Sequence, residues 1–280
     1  MTDDTLQNLD RSLAQRFGAY ASFQNESDPI LVKTFGDDPA DEIDRLLDIF
    51  ATPESQVLDL GCGAGFTLCR LAPKVKAIWG FDIEADLLEA AQLRAVQSSL
   101  DNATFVHGNV AVAEDVAKLP DDAFDVVLSR RGPNVNKTVM PKLKADAMVV
   151  QELWQDPLAL LEIFGRKTFL RDTWDNPHWL VKDYSWLDLF PVSIKEFFTE
   201  SYFRDADHLI AYLSRPSAFC SWPMPPIPYD ESRDRQALEL YIRYNTTPDG
   251  IRMINHRKVY LFRRMVVLQA PAAPEVKPSL

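Results

Sequence analysis

An open α/β sheet, mostly parallel and with helices on both faces, is the fold class this sequence predicts. Three observations predict it. First, the apolar run Val57-Leu58-Asp59-Leu60 ends in the turn Gly61-Cys62-Gly63-Ala64-Gly65, and Phe66 opens a helical pattern. A short buried strand, a glycine turn and a helix in that order begin a strand-helix-strand unit. Second, an apolar run returns at Ala77-Ile78-Trp79-Gly80-Phe81 and ends at Asp82, the separation one such unit needs. Third, the alternation repeats, with strand patterns at Thr104-Phe105-Val106, Phe124 to Ser129 and Leu143 to Val150.

Ahead of the glycine turn, Leu6 to Phe23 reads as a helix with Asp4-Thr5 as its cap, and Phe17, Tyr20 and Phe23 gather toward one side at a spacing of three. Asp28-Pro29 breaks that pattern. Pro39 to Phe50 is a second helix, with Ile43, Leu46, Leu47 and Phe50 at helical spacing, and Thr52-Pro53 stops it. Ala85 to Leu100 is the helix after the second strand, and Val112 to Lys118 a shorter one before the turn Pro120-Asp121-Asp122. Beyond Val150, Leu158 to Phe164 looks helical, with Gly165 as its C-cap. Thr168 to Leu189 mixes Trp174, Trp179 and Trp186 with Asp172, Asp175, Asp183 and Asp188, which suits an acceptor pocket or a homodimer contact. Ser193 to Glu200 is the natural sixth strand, Asp205 to Leu213 a helix, and Pro216 to Pro228 a loop too rich in proline for regular structure. Ser232 to Asn245 is the last helix and Val259-Tyr260-Leu261-Phe262 the seventh strand. The expected organisation is therefore N-terminal helices over 1–52, one domain over 53–268 and a disordered proline- and alanine-rich tail over 269–280.

The 280 residues are 46% hydrophobic and 25% charged, enough apolar material for a large core. No apolar run is long enough to span a membrane, and the acidic start Met1-Thr2-Asp3-Asp4 argues against a secretory signal, so a cytoplasmic protein is expected. The three cysteines, Cys62, Cys69 and Cys220, form no C-x-x-C pair, and His107, His178, His208 and His256 show no metal-ligand spacing; no metal is expected. A net charge of −11 favours a small-molecule partner over naked nucleic acid, although Arg130-Arg131 or the run Arg252 to Arg264 could form a local basic patch.

Three glycines at alternate positions let the backbone take positive φ and approach a ligand closely, with helix amides facing the crevice. A dinucleotide fingerprint would need glycine where Phe66 stands, since the third glycine, Gly65, falls one residue early. No Gly-Lys-Ser/Thr follows, so the turn is not a P-loop. An acid, Asp59, shortly before G-x-G-x-G resembles motif I of the class I S-adenosylmethionine (AdoMet)-dependent methyltransferases. Phe81-Asp82-Ile83-Glu84 is similar to their motif II, and Phe124 to Ser129 to their motif IV. His107-Gly108-Asn109-Val110 stands where the family has Gly-Asp or Gly-Asn. Ala145-Asp146-Ala147 departs from the proline and glycines usual before the fifth strand. The resemblance, to type 11-like bacterial methyltransferases, is marked from about Val57 to Val150; Asp205 to Asn245, a helix, a proline loop and a helix, resembles small bacterial members of loosely defined substrate.

That resemblance implies a Rossmann-like seven-stranded sheet, with strand seven antiparallel beside strand five, and AdoMet as cofactor. It implies cofactor contacts from Asp59, Gly61, Cys62, Gly63, Gly65, Asp82, Ile83, Gly108, Asn109, Val110 and Ser129, with Asp82 on the ribose and Asn109 at the adenine amino group. It also suggests the N-terminal helix as a cofactor lid, the other reading being a helix packed on the sheet edge. The function implied is methyl transfer to a small molecule; the alternatives are an RNA or protein methyltransferase, or an AdoMet-binding protein without catalysis. The Asn/Asp-Pro-Pro-Tyr motif of amino-methylating nucleic-acid enzymes is missing, since Ser129-Arg130-Arg131-Gly132 stands in its place. The paired arginines sit at the carboxyl end of the fourth strand, where α/β sheets bind ligands. They read either as a clamp for an anionic acceptor or as partners of neighbouring acids. Arg130, Glu152 and His178 are the candidates for a catalytic role, a base being needed only if the acceptor must lose a proton.

Overall fold

In this computed structural model the described residues are 3–17, 31–35, 38–155, 160, 163, 179–214 and 228–265. Five parallel strands form one half of a single sheet: β2 (Gln56–Leu60), β3 (Ala77–Asp82), β4 (Ala103–His107), β5 (Phe124–Arg130) and β6 (Leu143–Gln155). They lie in the order β4-β3-β2-β5-β6. β9 (Gly250–Arg264) then pairs antiparallel with β6, and β7 (Leu189–Phe203) antiparallel with β9. These are the seven strands expected from the sequence, and the last of them is antiparallel beside the fifth.

Two strands are additions. β1 (Leu31–Phe35) pairs antiparallel with the outer edge of β7, and the two-residue β8 (Thr246–Thr247) makes a tight hairpin with β9. The sequence reading placed only helices ahead of β2. Five residues carry too little periodicity to announce a strand, and β1 exists because the edge of β7 offers unpaired N–H and C=O groups. The antiparallel strands are also longer than their apolar patterns: β7 and β9 run 15 residues each. β6 continues past its last pairing with β5, Arg130 with Glu152, as far as Gln155 opposite His256 of β9. Gln151 and Glu152 therefore belong to the strand itself.

Of the helices, α1 (Asp3–Phe17) and α2 (Pro39–Phe50) precede β2, and α3 (Phe66–Leu71), α4 (Ala85–Gln97) and α5 (Ala113–Val116) connect the parallel strands. α6 (Trp179–Ser185), α7 (Ala206–Leu213) and α8 (Glu231–Asn245) follow. Proline at the first position and the Asp38 carboxylate, which accepts from the Ala40 amide, start α2. Asp205 and Asp230 cap α7 and α8 in the same way, through the amides of His208 and Arg233. The N-terminal helix is described only to Phe17, so Tyr20 and Phe23 lie outside the described residues, as do His178, Cys220, most of the segment 156–178, the proline loop over 216–227 and the tail.

Both faces of the central strands are buried, as a doubly covered parallel sheet requires. On one face Leu58, Val127, Val149, Tyr260 and Phe262 pack with Leu180 and Tyr184 of α6. On the other, Val126, Leu128, Val150, Val259 and Leu261 pack with Ile43, Leu46 and Leu47 of α2 and with Leu68 and Leu71 of α3. A third cluster sits at the far end of the β7/β9 ribbon, where Phe203, Ile251 and Met253 meet Leu209 and Leu213 of α7 and Leu238 and Tyr241 of α8. No helix among the described residues is long and apolar enough to cross a membrane.

Candidate active site

The glycine turn leaves the carboxyl end of β2. Gly61, Gly63 and Gly65 have φ of 74°, 52° and 77°, all left-handed. A side chain on Gly61 would place its Cβ 2.8 Å from the Cα of Gly132, in the loop after β5. One on Gly65 would lie 2.7 Å from the Cβ of Ala91, so α4 passes directly behind the turn. Only glycine meets both demands, conformational and steric.

Asp82, at the tip of β3, is tied to this turn. One oxygen accepts from the Gly63 amide at 2.7 Å and the other from the Glu84 amide at 2.9 Å. The carboxylate is 7% exposed; burial pushes its pKa up, against the pull of the amides of Glu84, Gly63 and Ile83. Asp59 is 3% exposed, and no described residue donates a hydrogen bond to its side chain. Burial and the neighbouring charge of Asp82 push its pKa to about 7, with Arg130 opposing. Cys62 packs against Gly80, where a Cβ would come within 2.8 Å of its sulfur, and burial pushes its thiol up.

At the end of β4, His107 Nε2 meets the Ile83 carbonyl at 2.9 Å. A Cβ on Gly108 would run into Asp115 and Phe81. The Asn109 amide donates to Asp115 at 2.9 Å, and its side-chain oxygen accepts from the Ala111 amide at 2.9 Å, a local turn. The Val110 carbonyl accepts from Asn136 Nδ2 at 2.9 Å and Thr138 Oγ1 at 2.7 Å, which joins this loop to the one after β5. Ser129 is wholly buried; it donates to the Pro133 carbonyl at 2.8 Å and accepts from Gln151 at 3.2 Å. Gln151 in turn accepts from the Tyr184 hydroxyl at 3.0 Å, and that hydroxyl accepts from the Val135 amide at 2.8 Å. This chain fixes the course of residues 130–135. Its members Gln151 and Tyr184 are 33 residues apart, and nothing in their local sequence marks them.

Of the two readings of the arginine pair, the geometry supplies the ionic partner. Arg130 Nε donates to Glu152 at 3.1 Å, and Arg257 of β9 donates to the other Glu152 oxygen at 3.2 Å. Glu152 is 0% exposed, a counter-charge held between two guanidinium groups. The side chains of Arg130 and Arg257 remain about a quarter exposed, at 27% and 26%. In the sequence Arg257 is marked only as a member of the run Arg252 to Arg264.

The N-terminal helix docks on the turn from outside. Leu6 and Leu13 of α1 pack with Ala64, Leu87 and Ala90. Arg94 of α4 bridges the parts: it donates to the Ala64 carbonyl at 3.1 Å and to Asp10 at 2.9 Å, and lies 3.6 Å over the Phe66 ring. Among the described residues no cluster of three or more His, Cys, Asp or Glu could hold a metal ion.

Residues 51–155 match a family model described as a methyltransferase domain. Among curated proteins, the uncharacterized methyltransferase YcgJ of Bacillus subtilis is 30% identical over 99 residues, covering 35% of this chain and 38% of its own. A 23S rRNA (uracil(1939)-C(5))-methyltransferase RlmD of Photobacterium angustum is 38% identical over 78 residues, covering 27% of this chain and 34% of its own. The match thus spans less than half the length of either relative. A solved structure of a functionally unknown protein from Deinococcus radiodurans R1 superposes with a TM-score of 0.55 at 19% identity, over 94% of this chain and 100% of that one. That likeness extends the shared fold across the antiparallel half of the sheet.

Proposed function

We propose, from the premise that the chain belongs to the class I AdoMet-dependent methyltransferase family, that it moves a methyl group from AdoMet to a small-molecule acceptor. The observation that carries this reading is the junction of the glycine turn with Asp82, where a strand-tip carboxylate and a side-chain-free backbone share one crevice. The donor and acceptor chemistry fits the cofactor. Asp82 is an acceptor for ribose hydroxyls, and its two bonds to backbone amides hold it in one orientation. Asp59, buried and without a described donor, suits the ammonium end of the methionine moiety, whose charge would offset the cost of ionising it. Gly61, Gly63 and Gly65 let the ligand approach the backbone, and Ile83, Gly108, Asn109 and Val110 form the wall toward the adenine. Ser129 shapes the loop after β5 rather than touching the cofactor, because its hydroxyl is already committed.

AdoMet bound there supplies a methyl group already activated on a sulfonium. The chain's own task is to orient the acceptor and exclude water. α1, packed on Ala64 and latched through Arg94, serves as the cover over the turn. The net charge of −11 supports a small-molecule acceptor. The likeness to an rRNA methyltransferase over 78 residues favours RNA as the second reading.

Calorimetric titration with S-adenosylhomocysteine tests the cofactor half. Wild-type protein is expected to bind, and Asp82→Ala to lose on the order of 2–4 kcal/mol, the worth of two charge-assisted hydrogen bonds. Unchanged affinity removes Asp82 from the site. Incubation with labelled AdoMet and separate small-molecule and RNA pools then distinguishes the acceptor classes by which fraction gains label.

A further inference from the structure

The two apolar clusters on the α2 face of the sheet do not meet. Between the one under α2 and the one under α7 and α8 lies a row of polar side chains. Strand alternation sets the row: Arg130 follows Leu128 on β5, Glu152 follows Val150 on β6, and Arg257 precedes Val259 on β9. Asn255 stands two residues before Arg257, directly opposite Thr199 of β7.

Glu152 is the one buried carboxylate among these residues, and two guanidinium groups share it, each through a single contact. Among the described residues of the row, two positive charges face one negative. Three polar atoms of the row are buried without a hydrogen-bond partner among the described residues: Arg257 Nε, Asn255 Oδ1 and Thr199 Oγ1. Asn255 spends its amide on Ser201, at 2.8 Å, which leaves its carbonyl oxygen as an acceptor in need of a donor. An orphaned buried polar atom is costly, and three on neighbouring residues ask for a shared reason. The row also adjoins the cofactor crevice. Arg130 ends β5, next to β2 and its glycine turn, close enough for its charge to act on Asp59. From the other side, the Tyr212 hydroxyl on α7 lies within electrostatic reach of Arg257 and Arg131.

We propose that this row is the acceptor subsite, and that it takes a small organic carboxylate carrying a hydroxyl or amino donor. The carboxylate meets Arg257, with Arg130 beside it, and supplies the missing negative charge. The ligand's donor goes to Asn255 Oδ1 and Thr199 Oγ1. Glu152 is a positioning residue, holding the two guanidinium groups through one contact each. The identity of the ligand as acceptor rests on the methyl-transfer reading; the existence of the anion site does not.

The test uses the full chain and three probes of matched size: lactate, propionate and 1,2-propanediol. Binding is read by NMR at the arginine Nε–H groups, with S-adenosylhomocysteine affinity measured by calorimetry on the same samples. Lactate is expected to shift the Arg257 Nε–H resonance, propionate to bind about tenfold more weakly, and propanediol to leave it unmoved. Arg257→Gln should abolish the lactate effect. Thr199→Val should weaken lactate about five- to tenfold while raising Tm, because a methyl replaces a buried hydroxyl that has no partner. S-adenosylhomocysteine affinity should be unchanged in both variants. A protein that binds S-adenosylhomocysteine but shows no lactate shift at Arg257 overturns the proposal. So does a Thr199→Val variant that gains stability and keeps its lactate affinity, since the orphaned hydroxyl is then only a structural cost. Lactate binding without S-adenosylhomocysteine binding overturns the methyl-transfer reading and leaves the anion site standing.

Discussion

The parallel and antiparallel halves of the sheet gather polar groups at their shared rim by different means. In the parallel half, the crevice at β2 and β3 is built from backbone: three glycines of positive φ and amides that grip Asp82. Where the antiparallel strands join that half, the row across β5, β6, β9 and β7 is built from side chains: two arginines on one buried carboxylate, with Asn255 and Thr199 beyond. A backbone site is local, because a turn and the strand tip beside it lie within a few dozen residues. A side-chain site on a sheet draws on whatever strands happen to be neighbours, here residues from 130 to 257. The two halves therefore differ in how they should fail when altered.

The largest effect is expected at Glu152. Glu152→Ala leaves two guanidinium groups facing each other without their carboxylate, and should cost about 3–5 kcal/mol in urea unfolding. If the halves are separable, S-adenosylhomocysteine affinity survives under native conditions; its loss would mean that the ionic cluster also shapes the crevice. Gly61→Val asks the reverse question. It combines a β-branched residue at φ of 74° with a 2.8 Å approach to Gly132, so it should cost on the order of 2–4 kcal/mol and remove cofactor binding. Normal binding by a folded Gly61→Val protein would break the assignment of the turn.

A titration sharpens the electrostatic side. Asp59 has a folded pKa near 7, above its unfolded value of about 4. The folded state then holds the proton more tightly, so stability falls as pH rises from about 4 to about 7, by an amount on the order of a few kcal/mol. Asp59→Asn should flatten that part of the stability profile in the ligand-free protein, and S-adenosylhomocysteine should flatten it in the wild type. Identical profiles for wild type and variant would show that Asp59 is not the titrating group. The smallest effect belongs to α1. Asp10→Asn removes the negative charge paired with Arg94 and should cost about 1 kcal/mol, seen as faster amide exchange in α1. A faster release of S-adenosylhomocysteine by the same variant would support α1 as the cover of the site, whereas an unchanged rate would make it a packed edge helix.

The sequence alone determined the parallel half. Apolar runs of three to eight residues at strand-helix-strand spacing, a glycine turn and an acid at the next strand tip are short-range signals, and the elements fell where those signals stood. It also foresaw the seventh strand beside the fifth, through family likeness rather than through pattern. Only the tertiary structure decided the rest. β1 became a strand because β7 offered it an edge. Glu152 became a buried counter-charge because β6 runs between two strands, pairing it with Arg130 of β5 on one side and Val259 of β9 on the other. Arg257 joined Arg130 because two strands far apart in the chain bracket the same carboxylate. The physical reason is one of range: backbone conformation and hydrophobic periodicity are written within a turn or a strand. Which charge faces which across a sheet is fixed by register and strand order, and those depend on all the strands at once.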